Sequence, residues 1–226
     1  MTSPAPTRSH RRTRAEQAEF YEHLVQTSLQ LFADGGYEAI SMRRLASEVG
    51  IPPMSLYRYF PTKAHLIRHI WDHILERALE RAMREVDTGR AAPQRLRSFL
   101  GGFLDYWLEH RDHYWVVFAT RDDVGPLNAD AEPLGIGPNP HAIIEALDGL
   151  IGACLGRRAV AVAERQAALD LVLCKVLGFL LGTIGLASLR WTDLRQLRER
   201  LLDDVLQQVA DTGRPAAGQA AVRLSR

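Results

Sequence analysis

GGYEAISMRRLASEVGIPPMSLYRYFPTKAHL, Gly35 to Leu66, fixes the reading of everything around it. It holds two short helices joined by a tight turn, then the start of a longer third. Ser41 stands where an N-cap belongs, its side-chain oxygen available to the unpaired amides of the next turn. Met42, Leu45, Ala46 and Val49 follow at helical spacing and give one apolar face. Gly50 ends this helix, because glycine accepts the left-handed backbone a C-cap needs. Pro52 and Pro53 begin the second, since proline has no amide to waste in a first turn. Leu56 and Phe60 point inward at i and i+4, leaving Ser55, Arg58 and Tyr59 outward. Pro61 stops the helix and Thr62 caps the next.

Two short helices around a glycine turn match a helix-turn-helix, whose second helix enters the DNA major groove. A helical hairpin without a partner satisfies the same spacing. The outward chemistry separates the two. Arg43, Arg44, Arg58 and Lys63 are cationic, and Ser41, Ser55, Tyr57, Tyr59 and Thr62 carry hydroxyls. Glu48 is the only acid between Ser41 and Leu66. Phosphates are gripped by such groups and by helix N-termini. Those residues, with Pro53 and Met54, are the candidate duplex-contacting set.

The run LFADGGYEAISMRRLASEVGIPPMSLYRYFPTKAHL, Leu31 to Leu66, resembles the DNA-binding domain of the TetR family of bacterial transcriptional repressors. The matching residues are Phe32, Gly36-Tyr37, Ser41, Arg43, Leu45-Ala46, Gly50, Leu56-Tyr57, Phe60 and Lys63. The resemblance covers roughly the first third of the chain. It implies an all-α fold: an N-terminal three-helix helix-turn-helix domain plus a C-terminal helical ligand-binding and dimerisation domain. The family often opens its recognition helix with a polar residue, whereas here the opening is Pro52-Pro53-Met54. Base readout is therefore expected to lean on Ser55, Arg58, Arg43 and apolar contacts from Pro53 or Met54. Apolar groups read a thymine methyl but supply no hydrogen-bond code.

Outward from this stretch, the expected division is a disordered basic arm (1–14), the helix-turn-helix domain (15–66), the ligand-binding and dimerisation domain (67–211) and a disordered tail (212–226). The net charge of +1 over 226 residues means that affinity for nucleic acid must come from local clustering. Arg8, Arg11, Arg12 and Arg14 make the arm basic. Both a DNA-contacting arm and a solubilising tail fit it. No secretory signal is visible, and Cys154 and Cys174 form no CxxC pair, so a cytoplasmic protein with reduced thiols is expected. The apolar run Val176–Leu189 is shorter than the about 20 residues that span a bilayer, so a core or interface helix is expected.

Ala15–Ala33 reads as a helix with Phe20, Leu24, Thr27, Ser28, Leu31 and Phe32 on one side, ended by Gly35-Gly36. Thr62–Val86 reads as a long helix joining the two halves. His65, His69 and His73 recur on it every four residues, a spacing that also suits solvated histidines, and no metal is expected there. Helices over 93–109 and 110–120 carry most of the remaining aromatic mass. Phe103, Trp107, Tyr114 and Phe118 are candidates for a ligand-pocket wall, with plain core the other reading. Arg121–Pro140 reads as a long loop and candidate lid, His141–Leu155 as a helix, Ala161–Arg190 as a long apolar helix, and Thr192 or Asp193 as the cap of the last helix.

Only two of the 28 basic residues are lysines, Lys63 and Lys175. Lys63 suits a phosphate at a helix start. Lys175, near Asp170 and Glu164 in sequence, suits an acid across a dimer or an anionic ligand. Cys174, Lys175 and Gly178 complete the candidate ligand-binding set. The last two helices, paired across a two-fold axis, would make a four-helix dimer interface.

The function expected is that of a homodimeric, ligand-responsive repressor of a palindromic operator. Its partners would be duplex DNA, a small-molecule effector and a second copy, with no cofactor and no membrane. Two alternatives are a helical interaction module without DNA binding, and an enzyme using the histidines with Asp72, Glu109 or Asp112. No Ser-His-Asp set or glycine-rich phosphate loop supports catalysis.

Overall fold

The computed structural model describes residues 13–118, 138–156, 160–186 and 188–212, so the basic arm, most of the candidate lid and the tail lie outside the described residues. The described residues are helical, without a strand. They divide into two compact units between Ile70 and Trp71, four residues beyond the boundary expected from sequence.

The first unit contains α1 (Arg14–Ala39), α2 (Met42–Glu48), α3 (Pro53–Tyr59) and the opening of α4 (Lys63–Arg84). Helix α1 breaks at Gly35-Gly36, where Gly36 has φ 67° and ψ −161°. Ser41 Oγ accepts from Arg44 N at 3.2 Å and caps α2. Gly50, with φ 72°, makes the turn into α3, a region costly for any side chain with a Cβ. Pro52 and Pro53 open α3. Thr62 Oγ1 accepts from His65 N at 3.3 Å and starts α4. The core holds Phe20, Leu24, Leu31, Leu45, Leu56 and Phe60, as the spacing requires, with Val49 and Phe32 half-buried. Val25, Leu29 and Ile40 are buried as well, so α1 is covered on more than one side.

The second unit begins at Trp71 and contains α5 (Ala92–Glu109), α6 (Arg111–Phe118), α7 (Pro138–Leu155), α8 (Val162–Leu180), a π-helical turn (Leu181–Gly185) and α9 (Leu194–Asp211). Helix α5 is central and packs against α6, α7, α8 and α9. It also lies close to the second half of α4. A Cβ on Gly102 would sit 3.0 Å from the Arg81 carbonyl oxygen and 3.1 Å from Ala82 Cα, so glycine permits the approach. Trp71 Nε1 donates to the Val116 carbonyl at 2.7 Å in the interior.

Charged pairs stitch the rims. Arg198 is bidentate on Asp105, at 2.7 Å twice, and Arg97 bonds Glu199 and Asp203, so α5 and α9 are tied at two levels. Burial works against the Arg97 charge, but hydrogen bonds and attraction from Asp203 and Glu199 outweigh it and raise its pKa. Arg165 is bidentate on Asp148 between α8 and α7.

Three sequence expectations change. The apolar helix does not run to Arg190: it passes into a π turn after Leu180 and leaves at Leu186, whose amide bonds back to the Leu181 carbonyl at 3.0 Å. Gly182 and Gly185 fall in that turn, where weak helix propensity makes the change of hydrogen-bond register cheap. Helix α7 starts at Pro138, within the stretch read as loop. The run Val176–Leu189 also underestimates the apolar helix. Val162–Gly185 is 24 residues, and its most apolar 18-residue window has mean hydropathy 2.0, long and apolar enough by length and composition to cross a membrane.

Candidate functional site

The outward face of the first unit assembles from three helix starts. Ser41 is exposed, and its oxygen already accepts from Arg44 N, so the hydroxyl proton is what it offers outward. Arg43 and Arg44 project from the same turn of α2, both exposed. Arg44 stands 4.0 Å from Asp34, close enough for partial screening only.

Helix α3 is anchored through one residue. Leu56 is fully buried, with Phe60 buried behind it. Around Leu56 the helix shows Pro53, Met54, Tyr57, Arg58 and Tyr59, all exposed, Met54 at 73 %. Large apolar groups so exposed on a seven-residue helix are unusual unless something covers them. Tyr59 leans on Phe20, ring centroids 6.0 Å apart, which restricts its swing. Ser55 is half-buried, less available than the spacing implies. Thr62 is exposed and pairs with His65 Nδ1 at 2.8 Å, while Lys63 is half-buried at the start of α4. Four arginines and lysines, four hydroxyls and two apolar contacts thus lie on α2, α3 and the start of α4, with Ser55 partly withdrawn.

A second grouping occupies the α5–α6 elbow. Trp107 is fully buried among Phe103, Phe118 and Tyr114, with ring centroids 6.0, 5.3 and 6.4 Å away. Tyr114 and Phe118 are 4.9 Å apart. Burial raises the Tyr114 pKa. The Trp107 Nε1 donor has no hydrogen-bond partner among the described residues. A buried unmet donor costs about 1–3 kcal/mol, so its presence calls for an explanation.

The rest of the candidate ligand set is elsewhere. Cys174 and Gly178 are exposed on α8. Lys175 pairs with Asp204 of α9 in the same chain, rather than with Asp170 or Glu164. Asp204 lies one turn along from Glu199-Arg200 in a helix whose register could not be set against α8 from sequence alone.

The three α4 histidines share spacing but not surroundings. His65 meets Thr62, His69 packs 4.4 Å from the Tyr21 ring, and His73 lies 3.7 Å from Glu76. A different trio gathers ligand atoms: His110, Asp112 and His113, all within 4.8 Å of one another. The signal was present in the run His110-Arg111-Asp112-His113, but a period-four search skips it. Arg97 and Arg198 carry no comparable signal, because their acids are about a hundred residues away.

The profile of the bacterial regulatory proteins of the TetR family matches residues 24–70. The HTH-type transcriptional repressor KstR of Rhodococcus jostii is 41 % identical over 51 residues, 23 % of this chain and 24 % of that protein. The HTH-type transcriptional repressor DrrR1 of Streptomyces coeruleorubidus is 29 % identical over 160 residues, 66 % of this chain and 57 % of its own length. The chain thus spans about a quarter of the KstR protein and just over half of DrrR1. The crystal structure of BioQ with its natural double-stranded DNA operator is 25 % identical, covers 84 % of this chain and 97 % of BioQ, and superposes with TM-score 0.56.

Proposed function

From the premise that this chain carries a TetR-family DNA-binding domain, we propose that it is a homodimeric transcriptional repressor that leaves a palindromic operator when a small molecule binds its second unit. The observation that carries this reading is α3: one buried leucine holds it, and Met54, Tyr57, Arg58 and Tyr59 are exposed around the helix. Arg58 would read a base edge with Met54 or Pro53 against a thymine methyl. Arg43, Arg44, Ser41, Tyr57, Tyr59, Thr62 and Lys63 would hold phosphates and fix register, with Ser55 assisting. In a two-fold dimer the recognition helices would stand about 34–36 Å apart, one turn of the duplex.

Dimerisation through α8 and α9 draws support from exposed apolar surface. Leu171, Cys174, Leu177, Gly178 and Leu181 form one exposed stripe along α8. Only 39 % of the most apolar window of Val162–Gly185 is buried within the chain. Glu164, Arg165, Asp170 and Lys175 on the same helix suit a protein partner better than the bilayer core, where charged side chains are costly. A cytoplasmic location follows from this reading.

The effector would sit at the α5–α6 elbow, where the Trp107 indole N–H awaits an acceptor among aromatic rings. Helix α4 runs from Lys63 to Arg84 and belongs to both units, so differential binding in the second can bias the first. Cys174, Lys175 and Gly178 belong to the dimer stripe and its flank in this reading, not to the effector contact.

The test is duplex binding by the full chain, measured by fluorescence anisotropy on operators selected from random sequence. Affinity should fall steeply with salt. Arg58→Ala should relax sequence preference at one position, and Lys63→Ala should weaken all duplexes alike. A strictly monomeric particle, or salt-independent binding, would overturn the proposal.

A further inference from the structure

We propose that His110, Asp112 and His113 form a divalent metal site, open to one further ligand, at the elbow between α5 and α6. These residues lie in a row of four, yet they are not on one continuous helix. His110 is the C-cap of α5, with φ −117° and ψ 65°, and Asp112 and His113 lie in the first turn of α6. The non-helical residue folds the two histidine rings over each other, centroids 4.8 Å apart and planes 15° apart. One ligand atom from each of the three residues lies within 4.8 Å of the other two.

A tetrahedral zinc ion with bonds near 2.1 Å holds its ligand atoms about 3.4 Å apart. Closing the trio therefore takes roughly an ångström of side-chain movement. Asp112 is exposed and His110 half-buried, so both can rotate, and an ion can reach them from solvent. His113 is the fixed point. It is 3 % exposed, and the Tyr106 hydroxyl, itself buried, lies 2.7 Å from its Nδ1. Outer partners of this kind orient a ligating imidazole and set its tautomer.

The donor set decides the ion. Two imidazoles and one carboxylate suit zinc and other late first-row divalent ions better than calcium or magnesium, which take all-oxygen cages. Three protein ligands leave a fourth position for water or a donor atom of another molecule. Tyr106 stands edge-on to Trp107 at 5.3 Å, so the hydroxyl partner of His113 belongs to a ring that also touches the aromatic group around the unmet indole N–H. Helix α6 also packs against the π turn that ends α8, with a Cβ at Gly185 falling 3.6 Å from the Tyr114 hydroxyl. An ion clamping the elbow would stiffen α6 against that turn. The site rests on its own geometry and does not depend on the proposed regulatory role.

The experiment uses the full chain without an affinity tag. Zinc is titrated in competition with a chromophoric chelator, and cobalt(II) replaces it for visible spectroscopy. The expected result is one ion per chain, with a cobalt ligand-field band of four- or five-coordinate intensity. His110→Ala and Asp112→Asn, both outside the buried core, should abolish the band and weaken zinc at least 100-fold, with unchanged circular dichroism. Tyr106→Phe should weaken zinc about 10–100-fold, the range for loss of an outer partner. His65→Ala, in the periodic histidine row, should change neither. Binding that survives both His110→Ala and Asp112→Asn, or the lack of a stoichiometric ion in the native chain, would overturn the site. Loss of duplex binding with zinc binding intact would instead count against the regulator.

Discussion

The described residues of the first and second units are built from the same kind of helix and use their side chains in opposite ways. In the first unit α2 and α3 are short, and helix starts hold the chemistry: Ser41, Pro53 and Thr62 each start a helix and sit on the outward face. In the second the helices other than α6 are long, and the chemistry lies between them, in Arg97, Arg198, Trp107 and His113. A helix end is specified by its own few residues, whereas a contact between helices needs two distant segments in the right register. The first unit is therefore local in its information and the second is not.

That contrast can be broken or sharpened by substitution. All four tryptophans, Trp71, Trp107, Trp115 and Trp191, belong to the second unit, so their emission reports it alone. Leu56→Ala removes the one anchor of α3 and should cost about 2–5 kcal/mol in the first unit. Duplex binding should vanish while the tryptophan unfolding curve keeps its midpoint; a shifted curve would show that the two units unfold together. Gly102→Ala places a methyl against the α4 backbone and should cost about 1–3 kcal/mol, read this time in tryptophan emission. Ser41→Ala deletes a cap and should lower first-unit stability by about 1 kcal/mol, measured by hydrogen exchange in α2. Ser28→Ala comes last. Ser28 is fully buried, and its hydroxyl has no partner among the described residues, so losing it should leave stability within about 0.5 kcal/mol or raise it.

The same division explains what was legible in the sequence. Ser41, Gly50, Pro53 and Thr62 announced α2, α3 and the start of α4 to within a residue or so, because each acts through its immediate neighbours. The resemblance carried by Leu31–Leu66 rested on those positions too. Ala161–Arg190 reads as one apolar helix, whereas the chain changes from α to π register at Leu181–Gly185, which no apolar count foresees. Lys175 suits an acid across a dimer or an anionic ligand by sequence, whereas its acid, Asp204, is 29 residues away in the same chain. The His110-Asp112-His113 trio stayed hidden because the α5 C-cap, and not helical periodicity, brings the rings together.

Cys174 sits in the middle of the bare stripe on α8, and the only other sulfhydryl, Cys154, is half-buried with its pKa pushed up by burial despite the opposing pull of Arg95. The molecule thus carries a single readily alkylated atom, placed where a second subunit would cover it. If two subunits pair along α8, maleimide uptake at that one position would gauge their association: quick in dilute solution and slowed at higher concentration, with no engineered cysteine required.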